Sequence, residues 1–255
     1  MGLYRLTIST ILRRKAWALA AFAVAVVPFL LPLVSTAAEN RVLLEPTRAQ
    51  TAWTMLWLAA LLWGLFAGAR TGEQHNRSGL GEYFLSTGIP ATRQLSLIWL
   101  GIMSFLAPLA LLAAAVCLTG AMPSRPGEQA LWVVTNLQFA ALFLLAIAPL
   151  VALAIALASR FGATAGYVVT LGIGLYGLYG VGYLDMLFRL ESNPLLEWAW
   201  LASPHFHLAD LTNRLIFKLG AVEARSFVDV AVYLAGIFAV ATALARLCFR
   251  TRSFS

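Results

Sequence analysis

Six long stretches of apolar residues, separated by polar segments, dominate the chain. They cover residues 16–36, 52–69, 96–120, 131–158, 163–184 and 227–248. At about 1.5 Å per residue, each is long enough, or nearly so, to cross a hydrocarbon core of about 30 Å as a helix. The apolar residues run continuously and do not alternate with polar ones, which favours helices over the strands of a barrel. We therefore predict an all-α integral membrane protein with six transmembrane helices, in a single domain over residues 1–255.

The composition supports this prediction. Hydrophobic residues make up 61% of the chain and charged residues only 11%, whereas a soluble domain usually carries about 25% charged residues. A surface with so few charges cannot face water throughout. The net charge of +7 does not indicate nucleic acid, because the basic residues flank the apolar stretches and do not form one face interleaved with aromatic residues.

Residues 3–15 precede the first apolar stretch and follow a helical pattern of their own. One side of this helix carries Leu3, Thr7, Ile8, Ile11 and Leu12, and the other carries Arg5, Ser9 and Arg13. The pattern predicts an amphipathic helix with a cationic face, lying along the inner leaflet. A charged segment that simply leads into the first span is the alternative.

The distribution of basic residues predicts the orientation. The N-terminus, the 70–95 loop, the 159–162 turn and the C-terminus together hold eleven Lys and Arg residues and two acidic residues. The loops on the other side hold seven basic and nine acidic residues. Because cytoplasmic loops carry an excess of Lys and Arg, we expect both termini on the cytoplasmic side of the plasma or inner membrane.

The predicted cytoplasmic loop 70–95 contains a short helix. Gly79 and Gly81 come before residues 82–85, and residues 88–90 bring the helix to an end with Gly and Pro. Several side chains of this segment are apolar although the loop would lie in the cytosol. Such a patch usually marks a surface for a partner. An amphipathic loop helix that rests on the membrane is the alternative.

This loop resembles the coupling segment of type-2 ABC exporter permeases. The resemblance rests on Glu73 near the end of the second span, on Gly81 with Glu82, and on residues 85–93, which lead into the third span. That family also has six spans, cytoplasmic termini and an amphipathic helix before the first span. The resemblance implies a pair of permease chains and a separate ATPase subunit. The residues expected to dock into the ATPase are Gly81, Glu82, Tyr83, Phe84, Leu85, Ile89 and Arg93.

The predicted outer loop 185–226 also has structure of its own. Trp198 and Trp200 suit a membrane interface, where an indole is half buried and half wet. Apolar and polar residues then alternate over residues 206–217, which indicates one or two short helices at, or dipping into, the outer leaflet. Residues 203–210 resemble the gliding-motility and nitrous-oxide-reductase-maturation branches of the same permease family.

His205, His207 and Asp210 raise the question of a metal site in this loop. On a helix, residues two apart point about 200° away from each other, so the two His residues would not share one ion. A third ligand is not evident in the sequence. We therefore predict no metal site here.

The fifth apolar stretch is rich in Gly and Tyr. Gly162 and Gly166 form a G-x-x-x-G pair, which permits close helix approach. In the family that the loop resembles, spans two and five line the translocation path at the dimer interface. The residues that this implies for the path are Trp57, Trp63, Phe66, Tyr167, Tyr176, Tyr179 and Tyr183. Glycines that only pack helices are the alternative.

These observations favour the transmembrane subunit of an ABC transporter, and an exporter over an importer. The chain has no G-x-x-x-x-G-K-[ST] motif, so we expect no cofactor on it, no enzymatic activity of its own, and ATP with Mg²⁺ on the partner subunit. An integral membrane enzyme is the alternative, but the span interiors hold essentially no ionisable residues. A secondary transporter or a scaffold also remains open. We expect an amphipathic cargo, such as a lipid or drug, and not an ion.

Overall fold

The protein is described by a computed structural model that covers residues 2–30, 41–190 and 193–251. Helices dominate these ranges, and no strand occurs in them, which confirms the all-α prediction. Five of the described helices are long and apolar enough to cross a membrane. The first predicted span is described only as the shorter apolar helix Ala16–Leu30. Membrane spans are therefore well supported, and the count of six stays a prediction.

The helices are α1 (Gly2–Arg14), α2 (Ala16–Leu30), α3 (Arg41–Leu58), α4 (Leu65–Arg77), α5 (Leu80–Ser86), α6 (Ala91–Gly120), α7 (Pro126–Phe161), α8 (Ala163–Leu175), α9 (Val181–Leu190), α10 (Pro194–Ala202), α11 (Thr212–Ile216) and α12 (Ala224–Cys248). A π-helical turn at Ala59–Gly64 joins α3 to α4, and another at Tyr176–Gly180 joins α8 to α9. A 3₁₀ turn at Phe206–Ala209 lies between α10 and α11.

The helix of the second span extends beyond its predicted end at residue 69. It reaches Arg77, well inside the segment predicted as the loop 70–95. Gly72, His75 and Asn76 are buried there, so tertiary packing holds this polar stretch helical. Residues 70–95 are consequently mostly helical, with short connections on either side of α5.

Helix α7 lies at the centre of the bundle. In the most apolar 18-residue stretch of α7, 72% is buried, whereas the corresponding value for α12 is 11%. It packs against α4, α6, α8 and α12, and its inward positions include many Ala residues, which let neighbouring backbones come close. α12 contacts α7 along one side and exposes most of its remaining apolar surface, as expected for a lipid-facing helix.

A polar pair joins α3 to α7 inside the bundle. The Trp53 Nε1–H donates to Asn136 Oδ1 at 2.9 Å, and Asn136 Nδ2 donates to the carbonyl oxygen of Trp132 at 2.9 Å. The Trp53 ring also stacks on Phe139 with 4.0 Å between ring centroids. An amide without these partners would be costly in an apolar interior. The pair therefore fixes the register of the two helices.

The bundle has two distinct ends, which we call the α5 end and the α11 end. At the α11 end, the Lys218 ammonium lies 3.3 Å from a carboxylate oxygen of Glu45 and 3.3 Å from one of Glu128. Gln138 and Val222 exchange two hydrogen bonds of 2.8 Å each. These contacts attach the segment between α10 and α12 to α3 and α7.

Helix α1 packs along α6. Its buried residues are Leu3, Thr7 and Ile11, and the Tyr4 hydroxyl lies 3.0 Å from Ser104 Oγ. The predicted N-terminal helix is thus present, but Leu12, predicted on its apolar side, is 46% exposed. Only one narrow side of α1 packs on the bundle, so part of its apolar surface remains exposed. That α1 lies along a membrane leaflet stays a prediction.

Gly72 allows α4 to approach α7, and Gly68 provides a matched comparison. A Cβ at Gly72 would lie 2.2 Å from the backbone oxygen of Ile155, whereas a Cβ at Gly68 would meet no atom closer than 3.5 Å. We expect Gly72→Ala to push the helices apart and to destabilise the bundle by about 1–3 kcal/mol. Gly68→Ala should be neutral or stabilising, because Ala favours a helix by up to about 1 kcal/mol.

Thermal unfolding of the two detergent-solubilised variants, followed by the loss of helical circular dichroism, measures the difference. Equal melting temperatures for Gly72→Ala and Gly68→Ala would contradict the close approach described here.

Candidate functional site

Helix α5 projects from the α5 end between two glycines with left-handed backbone conformations. Gly79 precedes the helix with φ of 71°, and Gly88 follows it with φ of 83°. The Gly79 carbonyl oxygen accepts from the Tyr83 N–H at 3.0 Å, and the Ile89 N–H closes the other end on the Phe84 oxygen at 2.9 Å. The short helix therefore lies where the glycines and the proline of the sequence predict it.

The seven predicted docking residues differ in exposure. Glu82, Tyr83 and Arg93 are exposed, and the Tyr83 side chain is 60% exposed. Phe84, Leu85 and Ile89 are half-buried, whereas Gly81 is buried. A Cβ at Gly81 would lie 2.5 Å from the backbone oxygen of Thr251. Gly81 thus packs against the segment that follows α12, and the exposed side chains form the outward surface of α5.

Gln94, at the start of α6, attaches α5 to the bundle. Its Nε2 donates to the carbonyl oxygens of Gly81 at 3.2 Å and Ile89 at 2.8 Å. Its Oε1 lies 2.7 Å from His75 Nε2. Because an amide oxygen only accepts, His75 carries its proton on Nε2 in this arrangement. Gln94 and His75 are both buried, so one amide group links α4, α5 and α6.

A second polar chain links α4 to α7 and to the end of α12. Asn76 Nδ2 donates to the Ser159 carbonyl oxygen at 2.8 Å, and the Ser159 hydroxyl accepts from the Arg250 N–H at 2.9 Å. The His75 ring lies between Phe84 and Phe249, with 18° between its plane and that of each phenyl ring. The α5 end is therefore one connected unit, in which hydrogen bonds and ring contacts link α5 to α4 and α6, and link α4 to α7 and to the end of α12.

These linking residues were not among those predicted from the sequence. His75 and Asn76 are adjacent, but Gln94 and Ser159 lie 19 and 83 residues further along the chain from His75 and Asn76 respectively, and the four share no motif. The only available signal was the polar character of Gln94 and Ser159 at the margins of apolar stretches, which does not show that they meet.

A cavity of about 590 Å³ opens near the α11 end, between the second and fifth spans. One wall comes from α3 and its π-helical turn, another from residues 175–179 of the fifth span, and the third from residues 207–213. The lining residues are Gln50, Thr54, Trp57, Leu58, Leu61, Leu175, Leu178, Tyr179, His207, Asp210, Thr212 and Asn213. Both π-helical turns border this space, and π-helical turns occur often at functional sites.

The polar wall of the cavity has unpaired groups. Trp57 is buried, and its Nε1–H has no hydrogen-bond partner among the described residues. The buried Nδ1 of His207 also has none. Asp210 Oδ1 accepts from the Thr212 N–H at 3.0 Å and from the Thr212 hydroxyl. The cavity thus combines leucine walls with one carboxylate. The two unpaired nitrogens have almost no accessible surface, so neither faces the open space.

The structure brings only some of the predicted path residues together. Trp57 and Tyr179 both line the cavity. The rings of Phe66 and Tyr167 meet edge to face, with centroids 5.6 Å apart. The others point elsewhere. Trp63 contacts Phe105 of α6, Tyr176 lies 2.7 Å from Ser203 Oγ, and Tyr183 is 60% exposed.

Residues of the cavity from the segment 207–213 were not predicted as lining residues. From the sequence, His207 and Asp210 were considered as possible metal ligands and as part of the stretch 203–210 that carries the family resemblance. In the described part of the chain, no group of three or more His, Cys, Asp or Glu side chains is placed to hold a metal ion. Their position against α3 depends on the fold of the whole outer segment, for which the local sequence carries no signal.

His205 anchors this segment to α12. Its backbone N–H donates to the Tyr233 hydroxyl oxygen at 3.1 Å, and its Nδ1 lies 2.7 Å from the same oxygen. The Trp200 ring covers the imidazole edge to face at 4.7 Å. Burial, and secondarily the neighbouring His207, lowers the pKa of His205 below its ordinary value. The contact of this segment with α12 therefore favours a neutral His205 imidazole.

No protein-family model, curated protein or solved structure matches the chain. The functional assignment consequently rests on the geometry of the α5 end and of the cavity.

We expect Gln94→Leu to release α5 from the bundle. The substitution leaves the buried His75 imidazole and two carbonyl oxygens unpaired, each of which costs about 1–3 kcal/mol when nothing replaces the partner. Amide hydrogen exchange in residues 80–89 should accelerate by roughly tenfold or more. Ser96→Ala, an exposed change two residues along the same helix, is the control and should leave exchange in α5 unchanged. Equal exchange rates in the two variants would refute the linking role of Gln94.

Acidification should loosen the segment around His205. The pKa of His205 in the folded protein lies below the ordinary value of about 6.5, so the imidazole binds a proton more readily when the segment is detached from α12. The attachment of the segment to α12 therefore weakens as the pH falls through that value. Amide exchange at Phe206–Ala209, corrected for intrinsic rates, should therefore speed up between about pH 7.5 and about pH 5. His205→Gln should flatten this pH dependence, and an unchanged dependence would assign it to another group.

Proposed function

We propose that this chain is the membrane-spanning subunit of an ATP-driven transporter of the type-2 ABC exporter class, and that it works with a separate ATPase subunit. The observation that supports this most directly is α5. It presents Tyr83, Glu82 and the neighbouring Arg93 outward, while its inner side is bonded through Gln94 to two membrane-spanning helices. A surface helix that merely rested on a membrane would have no need of buried amide bonds to the ends of the spans.

In this proposal the α5 end faces the cytoplasm. The same end carries α1 with Arg13 and Arg14, and Arg14 Nη2 donates to Gln74 at 3.0 Å. Arg160 and Arg246 end α7 and α12 at that level. The excess of basic side chains at one end agrees with the charge bias of cytoplasmic loops. A cytosolic ATPase would then have access to the exposed side of α5.

The helices offer a mechanical route from α5 to the cavity. His75 belongs to the helical stretch Leu44–Arg77, whose 34 residues correspond to roughly 50 Å of helix. Trp57 and Leu61 lie on the same stretch and line the cavity. Closure of the ATPase against α5 would tilt this long helix and change the distance between the cavity walls. The π-helical turn at Ala59–Gly64 lies where such a tilt would be absorbed.

The open side of the cavity suits a second permease chain. Leu58, Leu62 and Phe66 recur at intervals of four residues and are each between 42% and 55% exposed. Tyr179 and Val168 of the fifth span are exposed as well. A two-fold partner packed on this surface would bury the apolar stripe and enclose the cavity between two copies of spans two and five.

The docking claim can be tested with two tyrosines of equal exposure. Tyr83 on α5 and Tyr183 at the opposite end are each 60% exposed. The chain would be co-expressed with a candidate Walker-A-containing ATPase from the same genome and purified through a tag on the permease. Tyr83→Ala should weaken co-purification and transport-linked ATPase stimulation by about tenfold or more, because aromatic residues at interface centres contribute most of the binding energy.

Tyr183→Ala is the matched control and should retain co-purification with the ATPase. Full association and full stimulation in Tyr83→Ala, with the helix content unchanged, would remove the basis for α5 as the docking element. Loss of co-purification in Tyr183→Ala alone would place the ATPase at the other end and reverse the proposed orientation.

A further inference from the structure

A separate groove of about 200 Å³ lies between α6 and α12, toward the α5 end of the bundle. Its floor is formed by Ala152 of α7, which is buried. Because this side chain is small, it leaves room between the two flanking helices. The groove is open at Ser96 and Arg246, which are both exposed. The lining residues are Leu95, Ser96, Trp99, Ala152, Phe238, Thr242 and Arg246.

The half of the groove farther from the α5 end is apolar. The rings of Trp99 and Phe238 stack there, with 5.5 Å between their centroids and 28° between their planes. The Trp99 Nε1–H already donates to the Ala148 carbonyl oxygen at 3.0 Å, so the indole needs no further partner. The Thr242 hydroxyl oxygen has almost no accessible surface, so no ligand can bond to it. A molecule in this half therefore meets two aromatic rings and no accessible polar partner on Trp99 or Thr242.

The half nearer the α5 end carries the guanidinium of Arg246, which lies in the last turn of α12. In the described ranges, the Arg246 side chain makes no ion pair and no hydrogen bond. None of the lining residues is Asp or Glu. A guanidinium stays charged and presents five N–H donors, so it matches an anion with several acceptor oxygens, such as a phosphate group.

The depth of the groove decides between a soluble anion and a lipid. α12 is long and apolar enough to cross a membrane, and only 11% of its most apolar stretch is buried. An Arg near the end of such a helix reaches the level of the lipid headgroups. Phe238 lies eight residues before Arg246, which is about 12 Å of helix, and thus at the depth of the acyl chains. The groove consequently has its charge at headgroup level and its aromatic rings at chain level.

We propose that this groove binds one anionic glycerophospholipid from the leaflet at the α5 end. The lipid phosphate accepts from the Arg246 guanidinium, and one acyl chain lies against Trp99 and Phe238. Basic pockets between transmembrane helices bind the headgroups of anionic lipids in this way. A zwitterionic phospholipid fits less well, because its ammonium group reduces the net attraction to the guanidinium. The site lies apart from the outward surface of α5, and its binding does not depend on an ATPase.

Binding can be measured on the full chain in a neutral detergent, without ATPase or nucleotide. Dioleoyl phosphatidylglycerol and dioleoyl phosphatidylcholine are titrated separately, and native mass spectrometry resolves the chain with no lipid, one lipid or more. We expect the first phosphatidylglycerol to bind about tenfold more tightly, or more, than the second one and than the first phosphatidylcholine. Equal affinity for the two lipids, or successive phosphatidylglycerols bound with equal affinity, overturns the proposal.

Three substitutions locate the bound lipid. Arg246→Gln removes the charge, and Ser96→Phe fills the open side of the groove. Each changes an exposed residue and should weaken binding of the first phosphatidylglycerol by about tenfold. Arg13→Gln is the control, because Arg13 is an exposed cation of α1 at the same end but does not line the groove. With helix content unchanged, full binding in Arg246→Gln or in Ser96→Phe contradicts the site, as does an equal loss in Arg13→Gln.

A soluble analogue separates the headgroup from the chains. Glycerophosphoglycerol is phosphatidylglycerol without its acyl chains and keeps the same phosphodiester. A large excess of it should leave the first phosphatidylglycerol bound, because the analogue has nothing to place against Trp99 and Phe238. Displacement of the lipid by the analogue would show that the groove recognises the phosphate alone, which overturns the lipid assignment. These outcomes are independent of the Tyr83 docking experiment, so either proposal can fail without the other.

Discussion

The whole structure depends on one constraint, namely that a polar group inside a lipid-embedded bundle must find its partner within the protein. Water is absent there, so an unpaired amide or indole cannot be compensated by solvent. The bundle meets this constraint with contacts between helices. Trp53 donates to Asn136, Trp132 to the Cys117 carbonyl at 3.1 Å, and Trp99 to the Ala148 carbonyl at 3.0 Å. Each pair joins α7 to a neighbour, which is why the most buried helix is also the one around which the others are arranged. The hydrogen bonds of the α5 end extend the same principle to the margin of the bundle.

The exceptions to this constraint are as informative as its fulfilment. Buried polar atoms without partners also occur outside the cavity, for example at Trp17 and Thr242. At the cavity, however, Trp57 and His207 line one common space together with Asp210. Neither nitrogen is accessible from that space, so in the described part of the chain both are polar atoms packed without a partner, as at Trp17 and Thr242.

Much of the architecture could be predicted from the sequence, because apolar length and helix-ending residues act locally. The long spans and α5 with its flanking glycines are of this kind. The continuation of the second span to Arg77 could not be predicted, because residues 70–77 are polar and are held helical only by burial against α7.

The same applies to the sites. The exposed residues predicted for docking, Tyr83 and Arg93, belong to a contiguous segment. In contrast, Gln94 meets His75, and Trp57 and Asp210 line one cavity, only after folding. The path prediction named aromatic residues of both spans, but a helix has several sides, and the structure directs Trp63 and Tyr176 away from the cavity.

The two π-helical turns have a consequence for how the cavity could change. A π-helical turn accommodates one more residue than an α-helical turn of the same rise, so the residues before it are rotated by about 100° relative to an uninterrupted α-helix. If the turn at Ala59–Gly64 moved along its helix, the side chains that it passed would exchange facing positions while the backbone stayed hydrogen-bonded in lipid. The same holds for Tyr176–Gly180 on the opposite wall. The two walls could then present a different set of side chains to the cavity by rotation about their own axes, with no helix unfolding and no large displacement of the bundle.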